Sequence, residues 1–256
     1  MKRLCAALAA AAALALSACG EKDEPAAAGS QRLTVSAATS LKTAFTAYGE
    51  GFGGARVRFS FAGSDDLAAQ IRQGVRPDVF ASANTKLPKA LFDEGLVEEP
   101  QVFGANKLVL AVPAKAGGVA SLADLRKPGV TLAIGAASVP VGSYTREVLA
   151  RLGKGESRAI LRNVRSNEPD VGGVVGKLTQ GAVDAGFVYA TDVAAAGGRL
   201  EAIELPQRLQ PSVAYGVAVV KGARNPQGAR SFVAGLLRGP GARALTDAGF
   251  EPPPPR

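Results

Sequence analysis

Residues 33–45 read LTVSAATSLKTAF, and the period of the apolar residues changes partway through the stretch. Leu33, Val35 and Ala37 alternate with Thr34 and Ser36, the period-two pattern of a strand with one buried face. From Ser40 onward Leu41, Ala44, Phe45 and Tyr48 recur at helical steps. Ser40 stands at the junction and is a residue type that caps helix N-termini. The chain repeats the arrangement in VRFSFAGSDDLAAQI, residues 57–71, with Ser64 at the junction. A helix start presents unpaired N–H groups and the positive end of a dipole, so it attracts anions without a charged side chain. Ser40 and Ser64 therefore have two readings. Each is a cap worth about 1 kcal/mol, or both helix starts point at one anion.

The same alternation runs along the chain. Strands are expected in RLTVSAA, RVRFSFA, DVFASA, KLVLAVPA, VTLAIGA, GFVYAT and YGVAVVKG. Helices are expected in SLKTAFTAYGEGF, SDDLAAQIRQG, NTKLPKALFDEG, SLADLRKP, SYTREVLARLG, VGGVVGKLTQG and GARSFVAGLLRGP. Short apolar strands alternating with helices define the α/β class with crossover connections. In such sheets ligands gather beyond the carboxyl ends of the strands. AATS, FAGS, SVPVGS and NEPDVGG all place small or polar residues there, immediately before a helix.

Composition narrows the chemistry. Of 256 residues, 47% are hydrophobic and 20% charged, an ordinary globular balance. Residues 1–18 carry Lys2 and Arg3 and then a short apolar run, the pattern of a signal peptide. LSAC, residues 16–19, resembles a lipoprotein cleavage site, with Cys19 as the lipid anchor and residues 19–31 as a flexible tether. The chain has two cysteines, Cys5 and Cys19, and no histidine. The expected globular part therefore has no thiol, no disulfide and no imidazole, which excludes zinc-type metal sites and Ser-His-Asp or Cys-His catalysis. Basic residues give a net charge of +8 but are scattered, and aromatics are 5%, so nucleic acid is not an expected partner. Residues 251–256, EPPPPR, form a Pro-rich tail.

Five segments, TVSAATSLKTAF, FAGSDDLAAQI, PDVFASA, SVPVGSYTREVLARLG and DAGFVYATDVA, stand in an order and spacing that resembles the molybdate-binding proteins of bacterial ABC transporters. The likeness extends to LLRGPGARALTDAGF near the end. It implies the two-lobed type II periplasmic binding protein fold, each lobe a mostly parallel sheet flanked by helices. Lobe one would comprise residues 32–110 plus 216–250, and lobe two residues 111–215. The resemblance also implies that Ser40 and Ser64 contact the anion from one lobe. Val141 and Val171 would do so through backbone N–H groups from the other, with Asp170 and Gly172 as neighbouring candidates for the last, and Tyr189 through its phenol. Its further implications are an exported, non-enzymatic monomer that holds molybdate or tungstate without a cofactor, beside a permease.

Such a cage would offer donors only. Molybdate offers only acceptors, whereas phosphate carries a proton near neutral pH and leaves one mismatch. Sulfate is smaller, and tungstate nearly equal to molybdate. The alternatives are another oxyanion in the same fold, or an exported hydrolase using Ser40, which lacks a base. VGGVVGKLT fails as a P-loop because Val171 and Leu178 occupy required Gly and Ser/Thr positions. TSLK fails as a Ser-x-x-Lys nucleophile because Thr39 stands first.

Overall fold

The computed structural model describes residues 32–115 and 117–255, so the expected leader, tether and Cys19 anchor lie outside the described residues. Strand β1 (Arg32–Ala38) leads through a single 3-10 turn, Thr39–Leu41, into α1 (Lys42–Glu50). β2 (Arg56–Ala62) leads into α2 (Ser64–Arg72), and β3 (Val79–Ser82) into α3 (Lys86–Asp93). With β4 (Gln101–Asn106) and the late strand β10 (Val213–Val219) they form one sheet, ordered β2-β1-β3-β10-β4. The chain crosses to a second sheet at β5 (Leu108–Pro113) and continues with β6 (Leu132–Gly135), α4 (Pro140–Leu152) and α5 (Lys154–Leu161). Then follow β7 (Val164–Glu168), α6 (Val171–Thr179), β8 (Ala185–Tyr189), α7 (Ala190–Ala195) and β9 (Leu200–Glu204). The second sheet is ordered β7-β6-β8-β5-β9. After β10 the chain closes with α8 (Pro226–Arg238) and α9 (Pro240–Asp247) on the first lobe.

Both sheets use one plan. β2, β1 and β3 are parallel, β10 runs against β3 and β4, and so four strands share one direction. In the second sheet β7, β6 and β8 are parallel and β5 is the reversed strand. The amino ends of the parallel strands are pinned alike. Thr34 donates its N–H (2.7 Å) and hydroxyl (2.8 Å) to Asp78 Oδ2, and Thr131 does the same to Asp184 Oδ2 (2.8 and 2.7 Å). The core of the first lobe is aromatic, with Phe45 packed edge-on against Phe232 at 5.7 Å and beside Phe103 at 5.9 Å. That of the second is mainly aliphatic, around Leu110, Leu132, Val148, Val174 and Val188.

Several sequence expectations need correction. The lobe breaks expected at 110/111 and 215/216 fall inside β5 and β10, but β5 belongs wholly to the second sheet and β10 wholly to the first. The chain instead crosses at Asn106–Leu108 and again between β9 and β10. Glu251 is no free tail residue, since it exchanges backbone hydrogen bonds with Ala105 (2.8 and 2.9 Å). Strands β4, β7 and β9 were not expected. All three are sheet edges, where solvent relaxes the apolar pattern, as in VRSNE of β7. The helix expected in SLADLRKP is a 3-10 segment, Leu122–Arg126.

Candidate functional site

The carboxyl ends of β1, β2, β6, β7 and β8 open into the cleft between the sheets. One cavity there, of about 20 Å³, is lined by Ala38, Thr39, Ser40, Ala62, Gly63, Ser64 and Ala83 from the first lobe. The second lobe supplies Val139, Pro140, Val141, Asp170, Val171 and Tyr189. Ser40, Ser64, Val141, Val171 and Tyr189, the five residues implied by the family resemblance, thus lie on the wall of a single space. One water needs at least about 10–15 Å³ on this measure, so the space suits one small species.

Each donor is set by local structure. Ser64 opens α2, and its Oγ accepts the Ala83 N–H at 3.1 Å, which leaves the hydroxyl hydrogen for the cavity. Ser40 lies in the 3-10 turn after β1, and its Oγ is 3.0 Å from the phenol oxygen of Tyr215. Pro140 occupies the first turn of α4, where its missing N–H costs nothing, and the next residue is Val141. Asp170 caps α6 by accepting the Gly173 N–H at 3.0 Å. Val171 is then the first helical residue, and its N–H is among those with no partner within the helix.

Tyr189 ends β8 at 1% exposure, and its phenol oxygen is buried without a hydrogen-bond partner. Burial first, and then the neighbouring Tyr215, hold this phenol well above its ordinary range, so it stays a neutral donor. Thr39 Oγ1 is also buried and unpartnered on the same wall. Sequence reading passed over Thr39, although its position beside Ser40 in the strand-to-helix turn was the available signal. Asp170 is also a residue of the wall, with its carboxylate oxygen Oδ1 engaged in capping α6.

Two glycines set how closely the lobes approach. A Cβ on Gly63 would sit 2.6 Å from the carbonyl oxygen of Pro169, across the cleft. A Cβ on Gly172 would sit 2.8 Å from Cγ2 of Thr39, again across the cleft. The lobes therefore stand closed about the cavity, touching where a side chain is missing. Among the described residues no group of three or more His, Cys, Asp or Glu side chains could hold a metal ion. The wall includes no lysine or arginine. The arrangement can hold a small acceptor-rich solute by neutral hydroxyls and helix starts from both lobes.

Residues 33–251 match the sequence model of the family described as bacterial extracellular solute-binding protein. The molybdate-binding protein ModA of Mycobacterium tuberculosis (strain H37Rv) is 36% identical over 233 residues, covering 88% of this chain and 86% of that one. The periplasmic molybdate-binding protein of Azotobacter vinelandii superposes with a TM-score of 0.78 at 24% identity, covering 87% of this chain and 100% of that one. The sulfate-binding protein SubI of M. tuberculosis superposes almost as well, with a TM-score of 0.77 at 18% identity and 87% of each chain covered. At these identities both superpositions speak for the fold and do not choose the anion.

Proposed function

This chain belongs to the bacterial extracellular solute-binding proteins, and from that premise we propose that it captures molybdate, and also tungstate, in the cleft between its lobes and delivers it to the permease of an ABC transporter. The observation that carries the reading is the convergence on one cavity of hydroxyls and helix starts from both lobes. Identity of 36% to a molybdate-binding protein along nearly the whole chain supports the choice of anion.

The proposed contacts are the hydroxyls of Ser40, Ser64 and Tyr189 and the backbone N–H groups of Val141 and Val171, with the Thr39 hydroxyl added. Molybdate would satisfy two of the three buried side-chain oxygens without partners among the described residues, Tyr189 Oη and Thr39 Oγ1, the third being Asp65 Oδ1. An unsatisfied buried donor costs about 1–3 kcal/mol, so filling the site relieves a penalty as well as forming bonds. Because the anion bonds both lobes only when they are closed, it shifts the population toward the closed form, which the permease would recognise. A hydrolase reading gains nothing, since the one hydrogen-bond partner of Ser40 among the described residues is a phenol, not a base. We also propose that the chain works as a monomer without a cofactor and is held at the membrane by lipid on Cys19. Replacing Cys19 by serine would then move it from the membrane fraction to the soluble fraction.

Isothermal titration of the protein lacking its leader tests the central reading. One-to-one heats with molybdate and tungstate, and none with sulfate or phosphate, are expected. Binding of sulfate alone would keep the cage and overturn the ligand. Silence from all four anions would overturn the cage.

A further inference from the structure

Ser40 can serve an anion only if its single hydroxyl hydrogen points into the cavity, and the residues behind it decide whether that is possible. Tyr215 lies on β10 at a register shift between Tyr215 and Gly216, a local irregularity of the kind that re-aims a strand side chain. It is fully buried, packs edge-on against Tyr189 (5.9 Å) and Phe250 (5.2 Å), and places its hydroxyl 3.0 Å from Ser40 Oγ. Its other polar neighbour is Nδ2 of Asn106, at 3.5 Å. The Asn106 amide has one possible orientation. The backbone N–H of Lys107 can only donate and lies 2.9 Å from Oδ1, so Nδ2 carries the hydrogens. Nδ2 also donates to Thr191 Oγ1 at 2.8 Å, across the lobes.

Tyr215 cannot donate to an amide nitrogen that is itself a donor. Its hydrogen is thereby left for Ser40 Oγ, and the hydrogen of Ser40 is left for the cavity. Resting on the anion-binding reading above, we infer that Asn106 and Tyr215 are positioning residues, a one-way hydrogen-bond relay that fixes Ser40 as a donor to the bound anion. Asn106 ends β4 at the point where the chain crosses between lobes, and Thr191 belongs to α7 of the other lobe. The relay is therefore anchored at the crossing, where Asn106 also bonds the other lobe through Thr191. Desolvation holds the Tyr215 phenol well above its ordinary range, which keeps its hydrogen in place at any physiological pH.

The test is a double-mutant cycle on molybdate affinity, using wild type, Ser40→Ala, Tyr215→Phe and the double variant. Tyr215→Phe is expected to weaken binding by roughly 3- to 10-fold in the wild-type background, the worth of one net hydrogen bond. In the Ser40→Ala background it should change affinity less than about 2-fold, because the relay has nothing left to orient. Equal losses in both backgrounds would make Tyr215 a packing residue and overturn the relay, as would no loss in wild type. Asn106→Asp keeps the cycle decisive if Tyr215→Phe does not fold. Its carboxylate would take the Tyr215 hydrogen and reverse the chain, so its loss must shrink when Ser40 is alanine, and an undiminished loss overturns the relay. A wild-type protein silent to molybdate would instead sink the anion reading, and the relay with it.

Discussion

Replacing Gly63 by alanine bears mainly on lobe closure, with a lesser contact to the Asp65 side chain of its own lobe, 2.9 Å from the new Cβ. Gly63 precedes α2 with φ −57° and ψ 136°, a conformation open to alanine, so backbone strain is not at issue. Only space is. The new Cβ would lie 2.6 Å from Pro169 O, and real Cβ contacts essentially never fall below 3.0 Å. The obstacle is backbone carbonyl at the β7–α6 junction, next to Asp170 and Val171, and cannot rotate away like a side chain. The lobes must part by several tenths of an ångström, which stretches the proposed contacts of Val171 and Val141 to an anion held by Ser40 and Ser64. Hydrogen bonds to charged groups are worth about 1.5–3 kcal/mol each, so weakening two of them costs about 2 kcal/mol, or roughly 30-fold in molybdate Kd. Gly172→Ala should cost less, because its obstacle is the methyl group of Thr39, which can turn aside. Gly53→Ala is the control, with nothing within 4 Å of the added carbon. Calorimetry gives Kd, and small-angle scattering with and without molybdate gives the degree of closure. Wild-type affinity in Gly63→Ala would refute the reasoning, since capture would then not need the lobes this close.

Tyr189→Phe removes a buried phenol oxygen that has no partner without ligand. Molybdate binding should weaken by one to two orders of magnitude, from the loss of a hydrogen bond to a charged group, while the ligand-free unfolding temperature holds or rises in a thermal scan. Asp170→Asn keeps an oxygen to cap Gly173 but removes the negative charge of a residue beside the cavity. Molybdate affinity measured by calorimetry should rise, roughly tenfold for a nearby charge at intermediate dielectric. Burial pushes the Asp192 carboxyl up to about 7, helped by the charge of Asp170 and opposed by the hydrogen bond from the Tyr189 N–H. The folded protein therefore holds this proton more tightly than the unfolded chain, so the contribution to stability is complete below about pH 4 and is lost as pH rises through 7. Asp192→Asn should flatten that part of the unfolding-temperature profile between pH 4 and pH 7.

Ser40 and Ser64 were legible as candidates because each sits where two local signals coincide, a strand ending on small residues and a helix beginning just after, whereas Val141, Val171 and Tyr189 were reached only through the family resemblance. SAATSLK and AGSDDLA carry both signals within seven residues, and the structure puts Ser40 and Ser64 at those junctions. The supporting residues carry no such mark. Tyr215 reads as one more apolar residue of YGVAVV, and only the register shift and the approach of Asn106, 109 positions away, give it a role. Gly63 and Gly172 look like turn and helix-start glycines, and their importance lies in what faces them from the other lobe. Alternation could not supply the lobe partition either. β10 is read as a strand equally well in both sheets, and its antiparallel pairing with β3 and β4 is decided by non-local contacts.

The way charge is balanced in this cage makes a last prediction about rates. On the proposed reading a dianion enters a cavity lined by no lysine or arginine, so its charge would be met by hydroxyls and by the N–H ends of helices. Such partners would touch the anion directly, without mobile ions between. Their contribution is fixed once the lobes close. The amino ends of the strands that carry them are locked in each lobe by the same Thr–Asp pair, Thr34 with Asp78 and Thr131 with Asp184. The scattered surface cations that give the chain its +8 charge act differently. They attract the anion through solvent, where the screening length falls from about 10 Å at 0.1 M salt to about 3 Å at 1 M. Raising the salt should therefore slow molybdate association severalfold and leave its dissociation rate unchanged. Stopped-flow measurements of tyrosine fluorescence over that range of sodium chloride would read both rates. A dissociation rate that climbed in step with the fall in association would place a screened cation at the site, and the neutral cage would be wrong.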